Sequence, residues 1–112
     1  FKGGEIMSLY DNMIKEEGNL LYTTLAEECS ELSQACCKIN RKKFFNKELN
    51  VEDFENLFEE ISDVELNLKL IKIQIAQELD YSEKEIESFV SSWGDKKHLK
   101  LKEIFGGDEN EP

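Results

Sequence analysis

Five acidic residues in this chain have types and spacing that could do chemistry. Glu27, Glu28 and Glu31 fall in one stretch, and Glu60 and Asp63 in another. Glu28 and Glu31 are three apart, as are Glu60 and Asp63, so on helices each pair shares a face. Packing the two helices together would bring four carboxylates to one place. At about 4 Å and an effective dielectric of about 20, each ionised pair repels by roughly 4 kcal/mol. Such a cluster calls for a cation or for protons. An all-oxygen donor set favours a hard ion, Mg²⁺ or its substitute Mn²⁺.

The elements that must position these groups are legible as helices. From about Leu20 to Phe45 a seam runs through Leu21, Leu25, Glu28, Leu32, Ala35 and Ile39. Its alternating four- and three-residue steps mark one helix face. Glu28 occupies a seam position that should be apolar, and a charge there is costly unless paired or bound to metal. A bundle-core glutamate bonded to a lysine is the competing reading. A polar break at 46–50 follows, with Asn50 as N-cap and Glu52 and Asp53 suited to a first turn. The next helix is predicted from about Val51 to Glu78. Its seam is Phe54, Leu57, Ile61, Val64, Leu68, Ile71 and Ile75. Beside that seam lies a polar stripe of Asn56, Glu60, Asp63 and Asn67, placed to look into a groove between helices.

Two further helices complete the layout. A short amphipathic one is predicted over residues 8–17, ended by Gly18-Asn19. Ser82 with Glu85 forms a capping-box pattern that opens another helix, carrying Ile86, Phe89, Val90 and Trp93. Gly94-Asp95 is expected to end it, with a short terminal helix over the basic segment 96–102. The fold class predicted is all-α, an antiparallel bundle of four main helices with short connections. Residues 7–105 are expected to form a single domain. Residues 106–112 read as a flexible acidic tail, and 1–6 as a translated leader before Met7. Between Val64 and Ala76 most faces are apolar, which predicts that a second copy of the chain covers part of this helix.

Composition narrows the function. The formal charge is −11 over 112 residues, which argues against binding a nucleic acid polymer. No stretch is long and apolar enough to span a membrane. Cys29, Cys36 and Cys37 are odd in number and share one helix, so they read as reduced thiols of a cytoplasmic protein. His98 is the single histidine. A di-iron bundle would want Glu-x-x-His on two helices, and a zinc site would want more histidines or differently placed cysteines.

With Glu27-Glu28-x-x-Glu31 on one helix and Glu60-x-x-Asp63 on the next, the sequence resembles the MazG-like all-α nucleoside triphosphate pyrophosphohydrolases, whose pattern is EExxE followed by ExxD. The context Leu25-Ala26-Glu27-Glu28-x-x-Glu31-Leu32 and Glu59-Glu60-Ile61-x-Asp63-Val64 extends the likeness. It covers roughly Leu20 to Ile75 and is nearest to the small phage and prophage members. The resemblance implies a Mg²⁺-dependent enzyme that cleaves an NTP or dNTP between the α and β phosphates, giving a monophosphate and pyrophosphate. Carried over, Glu28, Glu31, Glu60 and Asp63 would be the metal ligands. Glu27 would serve a second metal or orient the attacking water. Asn67, a turn beyond Asp63, could bond the base, the sugar or a metal ligand.

The residues themselves suggest where a triphosphate would lie. Lys38 is seven residues past Glu31, about 10 Å along nearly the same face, with Arg41 and Lys42 a further turn on. These three are assigned to the triphosphate. A solvated basic helix end is the alternative. Lys97, among the lysines of 96–102, is the last substrate-binding candidate, with a solvated face as its alternative. Tyr22, Phe44, Phe45, Phe58 and Trp93 are candidates for base stacking, though core packing is their expected role. The partners expected are a nucleoside triphosphate and a second copy, in a homodimer or tetramer. The competing functional class is a non-catalytic helical dimer, acting as a nucleotide sensor or interaction module.

Overall fold

The computed structural model describes residues 3–18 and 20–106. It contains four helices: α1 (Gly3–Glu17), α2 (Leu20–Phe44), α3 (Val51–Leu79) and α4 (Glu83–Phe105). Among the described residues there is no strand. The all-α expectation therefore holds. The leader and tail expected at the two ends fall partly on residues 1–2 and 107–112, and Asn19 falls in the first break; all of these lie outside the described residues.

Each break has a local chemical cause. Gly18 takes a left-handed conformation (φ 52°), and its N–H donates to Ile14 O at 2.8 Å, closing α1. α2 ends with Asn46 left-handed (φ 54°). Lys47 N–H there donates to Lys42 O at 2.8 Å and Asn46 N–H to Lys43 O at 3.1 Å, a Schellman closure. Asn50 opens α3, its Oδ1 accepting from Asp53 N–H at 3.2 Å while Asn50 N–H donates to Asp53 Oδ2 at 3.0 Å. Asp80 (φ 58°) ends α3, with Tyr81 N–H donating to Ala76 O. Ser82 and Glu85 form the expected capping box at the start of α4.

One expected break is absent. Gly94 does not end a helix: α4 runs through it to Phe105 and stops at Gly106, which is left-handed (φ 58°, ψ 39°) and donates to Lys102 O. A single internal glycine costs only about 1 kcal/mol relative to alanine, too little to break a helix capped at Ser82 and continued by good formers such as Lys96, Lys97, Leu99 and Leu101. A Cβ built on Gly94 meets nothing within 4 Å. Gly94→Ala should therefore stabilise the protein by about 0.5–1 kcal/mol, read as a higher denaturant midpoint with unchanged slope.

The chain divides into two compact units, one through Gln74 and one from Ile75 onward. In the first, α2 and α3 are antiparallel, since Lys42 meets Asp53 while Glu28 meets Asp63 further along. Leu21 and Leu70 are fully buried, and Ile14, Ala35, Ile39, Ile71 and Ile73 join them in the core. Burying a side chain of this size contributes roughly 1.5–3 kcal/mol. Tyr10 of α1 sets its ring 5.6 Å below the Lys69 ammonium of α3. In the second unit, Tyr81 and Phe89 rings meet edge to face at 5.6 Å, and the Lys96 ammonium lies over Trp93 at 4.5 Å.

The α2 seam is as predicted: Leu21, Ala35 and Ile39 are buried, with Leu25, Glu28 and Leu32 half-buried. On α3 the inward face straddles the two stripes: Ile71 of the seam is buried and Phe54, Leu57, Val64 and Ile75 half-buried, while Asn56 of the polar stripe is exposed. Asn67 and Gln74 are buried, and Glu60 and Asp63 half-buried, while the seam residues Ile61 and Leu68 are 37% and 41% exposed. The five aromatic residues expected to pack, Tyr22, Phe44, Phe45, Phe58 and Trp93, are all exposed. The apolar pattern exceeds what one chain of four helices covers.

Candidate metal centre

The two acidic motifs meet. α2 supplies Glu28 from the middle of its inward seam, and α3 supplies Glu60 and Asp63 from its polar stripe. One carboxylate oxygen from each of Glu28, Glu60 and Asp63 lies within 4.8 Å of the others, and all three side chains are half-buried. Glu31 is exposed at the edge of this set and lies outside the close triad. Its charge nonetheless bears on both glutamates. Glu27 is exposed and contributes only a weak repulsion to Glu28.

The electrostatics are those of an uncompensated site. Burial pushes the Glu28 carboxyl above its ordinary value of 4.5, with Glu31 and then Asp63 adding repulsion. Burial likewise raises Glu60, followed by the charge of Glu31 and its hydrogen bond. Glu28 Oε2 and Glu60 Oε2 are buried with no hydrogen-bond partner. Buried carboxylate oxygens are normally satisfied, and leaving one bare is expensive. Among the described residues, no lysine pairs with Glu28 to make it an ordinary core glutamate. Three carboxylates brought this close, two of them with an unpartnered buried oxygen, fit a hard divalent cation.

The substrate-binding candidates separate into different places. Asn67 is almost wholly buried, and its Nδ2 donates to the Asp63 main-chain oxygen at 2.9 Å. It braces the turn of α3 that carries Asp63. Lys42 is committed to Asp53, with Nζ to Oδ1 at 2.7 Å. Two interactions, led by the hydrogen bond from the Asn50 main chain and then the Lys42 ammonium, hold Asp53 below its usual value of 3.8. Lys38 and Arg41 are exposed and line a surface basin with Lys42. Lys97 is exposed on α4, in the second unit.

The sequence pattern does not mark Asp53 as a charge partner or Lys47 as a basin residue. Asn56, in the polar stripe expected to look into a groove, lines one with Ala35, Lys38, Ile39, Glu52 and Asp53. Cys29, Cys36 and Cys37 are free and exposed, as expected of thiols outside a disulfide framework. No helix among the described residues is long and apolar enough to cross a membrane. No family model, curated protein or solved structure matches the chain.

Proposed function

We propose that the protein is a Mg²⁺-dependent nucleoside triphosphate pyrophosphohydrolase of the MazG-like kind, with its metal centre at Glu28, Glu60 and Asp63. The observation that carries this reading is the pair of buried, partnerless oxygens on Glu28 and Glu60, at the EExxE and ExxD positions of two antiparallel helices. Glu28, Glu60 and Asp63 would hold the ion, with Mn²⁺ able to replace Mg²⁺, and Glu31 at the rim would complete its oxygen shell. When bound, such an ion neutralises the triphosphate and lowers the pKa of a water nucleophile.

The remaining work falls to the chain's own groups. Asn67 fixes the α3 turn that presents Asp63. Glu27, exposed one residue before Glu28, would serve a second ion or orient the attacking water. Lys38 and Arg41 offer positive charge to phosphates that leave with extra negative charge, and phosphoryl transfer depends mainly on such positioning and electrostatics. The net charge of −11 suits a site that binds a nucleotide through metal and local lysines and rejects long polyanions.

The exposed apolar residues support assembly. Phe58, Ile61 and Leu68 on α3 and Phe89, Trp93 and Ile104 on α4 are uncovered, more apolar surface than a monomer usually leaves in water. We assign their cover to a second copy, in a dimer or a tetramer. The same surface favours the alternative reading, a non-catalytic helical dimer that senses nucleotide.

The test is a panel of NTPs and dNTPs with Mg²⁺ and with EDTA, resolving monophosphate plus pyrophosphate from diphosphate plus orthophosphate. The proposal expects the first pair, with Mg²⁺ only. Diphosphate plus orthophosphate would overturn the cleavage position. Nucleotide binding without turnover would establish the sensor instead.

A further inference from the structure

Where α2 gives way to α3, Lys38, Arg41, Lys42, Phe45, Lys47 and Asp53 line an open basin of about 330 Å³. Four cations and one carboxylate meet here, in a chain whose net charge is −11. The carboxylate is spent: Asp53 Oδ1 takes the Lys42 ammonium at 2.7 Å and Oδ2 takes Asn50 N–H at 3.0 Å. Lys42 is therefore a strut between the helices. Lys38, Arg41 and Lys47 form no ion pair among the described residues and are exposed.

Three cations at a helix C-terminus are ordinarily explained by the last carbonyls of that helix. Here those carbonyls are already served. Arg41 O accepts from Phe45 N–H at 3.1 Å, Lys42 O from Lys47 N–H at 2.8 Å, and Lys43 O from Asn46 N–H at 3.1 Å. The three side chains are left to face an open concavity with nothing negative in it but a saturated aspartate. Phe45, 65% exposed and held edge to face against Phe44 at 5.1 Å, gives the rim an aromatic surface.

We propose that this basin binds an oligophosphate anion without any metal, through Lys38, Arg41 and Lys47. Arg41 provides a planar fork for phosphate oxygens and the two lysines supply mobile point charges. A multiply charged, compact oligophosphate matches three converging cations better than a monocarboxylate does. The site goes beyond the hydrolase reading, since it requires neither the acidic triad nor its ion. The basin shares Lys38 and Asp53 with the groove that Asn56 lines, and Asp53 stands seven residues from Glu60, about 10 Å along α3. An oligophosphate held here could thus be free, or the tail of a nucleotide reaching from the acidic cluster.

The experiment is calorimetric titration of the full chain in EDTA with pyrophosphate, tripolyphosphate and a nucleoside triphosphate, repeated on Arg41→Ala/Lys47→Ala and on Glu28→Gln. Wild type should bind tripolyphosphate in EDTA, weakening as salt rises. The double variant should bind at least about tenfold more weakly, and Glu28→Gln as wild type does. Both replaced side chains are exposed, and Lys47 closes α2 through its main chain only, so the double variant should keep its circular dichroism and melting midpoint. Equal affinity for tripolyphosphate and nucleotide would identify free oligophosphate as sufficient. Tighter nucleotide binding, lost on Phe45→Ala, would identify a nucleotide tail. Absence of binding in EDTA, or undiminished binding by the folded double variant, would overturn the proposal. Mg²⁺-dependent turnover alongside either result would leave the hydrolase reading standing, and binding in EDTA without turnover would sink that reading alone.

Discussion

Glu28→Gln should abolish the proposed Mg²⁺-dependent hydrolysis while leaving the metal-free protein at least as stable as wild type. The expected loss of rate is at least about a hundredfold, because losing even a partner that only orients a ligand typically costs 10–100-fold. The stability half of the prediction follows from the geometry. Glu28 Oε2 is buried without a hydrogen-bond partner, and its charge is opposed by Glu31, Asp63 and Glu27. A neutral amide of the same shape removes that repulsion. Adding Mg²⁺ should then separate the two proteins. An ion at 100 times its Kd stabilises the native state by about 2.7 kcal/mol, which in a domain near this size raises the melting midpoint by roughly 10 °C or more. Wild type should show the rise and the variant should not. Thermal melts with Mg²⁺ and with EDTA, beside the product assay, read both effects. A variant that hydrolyses nucleotide at the wild-type rate would remove Glu28 from the metal centre.

Without metal, the protein should become more stable as pH falls from neutral toward 4.5. Burial and neighbouring carboxylates raise both Glu28 and Glu60 above that ordinary value. Between 4.5 and the raised values the folded state holds more protons than the unfolded chain, so stability rises with falling pH through this window. The gain is complete below 4.5 and lost as pH rises through the raised values. Asp53 works in the opposite sense and lower: its value is depressed below 3.8 by Asn50 and Lys42, so its support is present above 3.8 and lost as pH falls through the depressed value. The metal-free melting midpoint should therefore pass through a maximum in mildly acidic solution. Glu28→Gln/Glu60→Gln should flatten the rise on the neutral side, and saturating Mg²⁺ should do the same by replacing protons as the counter-charge. Melting midpoints across pH, in EDTA and in Mg²⁺, check this. A metal-free midpoint that climbs steadily toward neutral pH in wild type would contradict it.

Most helix ends were legible because each carries its own chemistry; the start of α1 was not, since the helix expected over 8–17 begins at Gly3. Gly18, Asn50 and the Ser82–Glu85 box act within a few residues of chain, and the sequence shows them directly. Gly94 misled for the same local reason: a glycine can end a helix, but its intrinsic cost is small beside the support of a long helix around it. The meeting of Glu28 with Glu60 and Asp63 was also legible, since each motif sits on or beside a seam with helical spacing. The orientation of α3 was not. Periodicity marks an apolar stripe through Ile61 and Leu68 and a polar stripe through Glu60, Asp63 and Asn67, but it does not say which meets α2. The core takes part of each: Asn67 and Ile71 are buried and Glu60, Asp63 and Val64 half-buried, while Ile61 and Leu68 are left exposed. The basin was legible only in part. Lys38, Arg41 and Lys42 fall on one helix, but Phe45, Lys47 and Asp53 come from a turn and a following helix start, and no period connects them.

The proposed hydrolase requires that Glu28, Glu60 and Asp63 hold a divalent cation. Mn²⁺ binding followed by electron paramagnetic resonance, on wild type and on Glu28→Gln/Glu60→Gln, tests that most directly because it needs neither substrate nor turnover. Wild type should take up Mn²⁺, Mg²⁺ should displace it, and the double variant should lose that uptake. Mn²⁺ that binds both proteins alike, or neither, would contradict it.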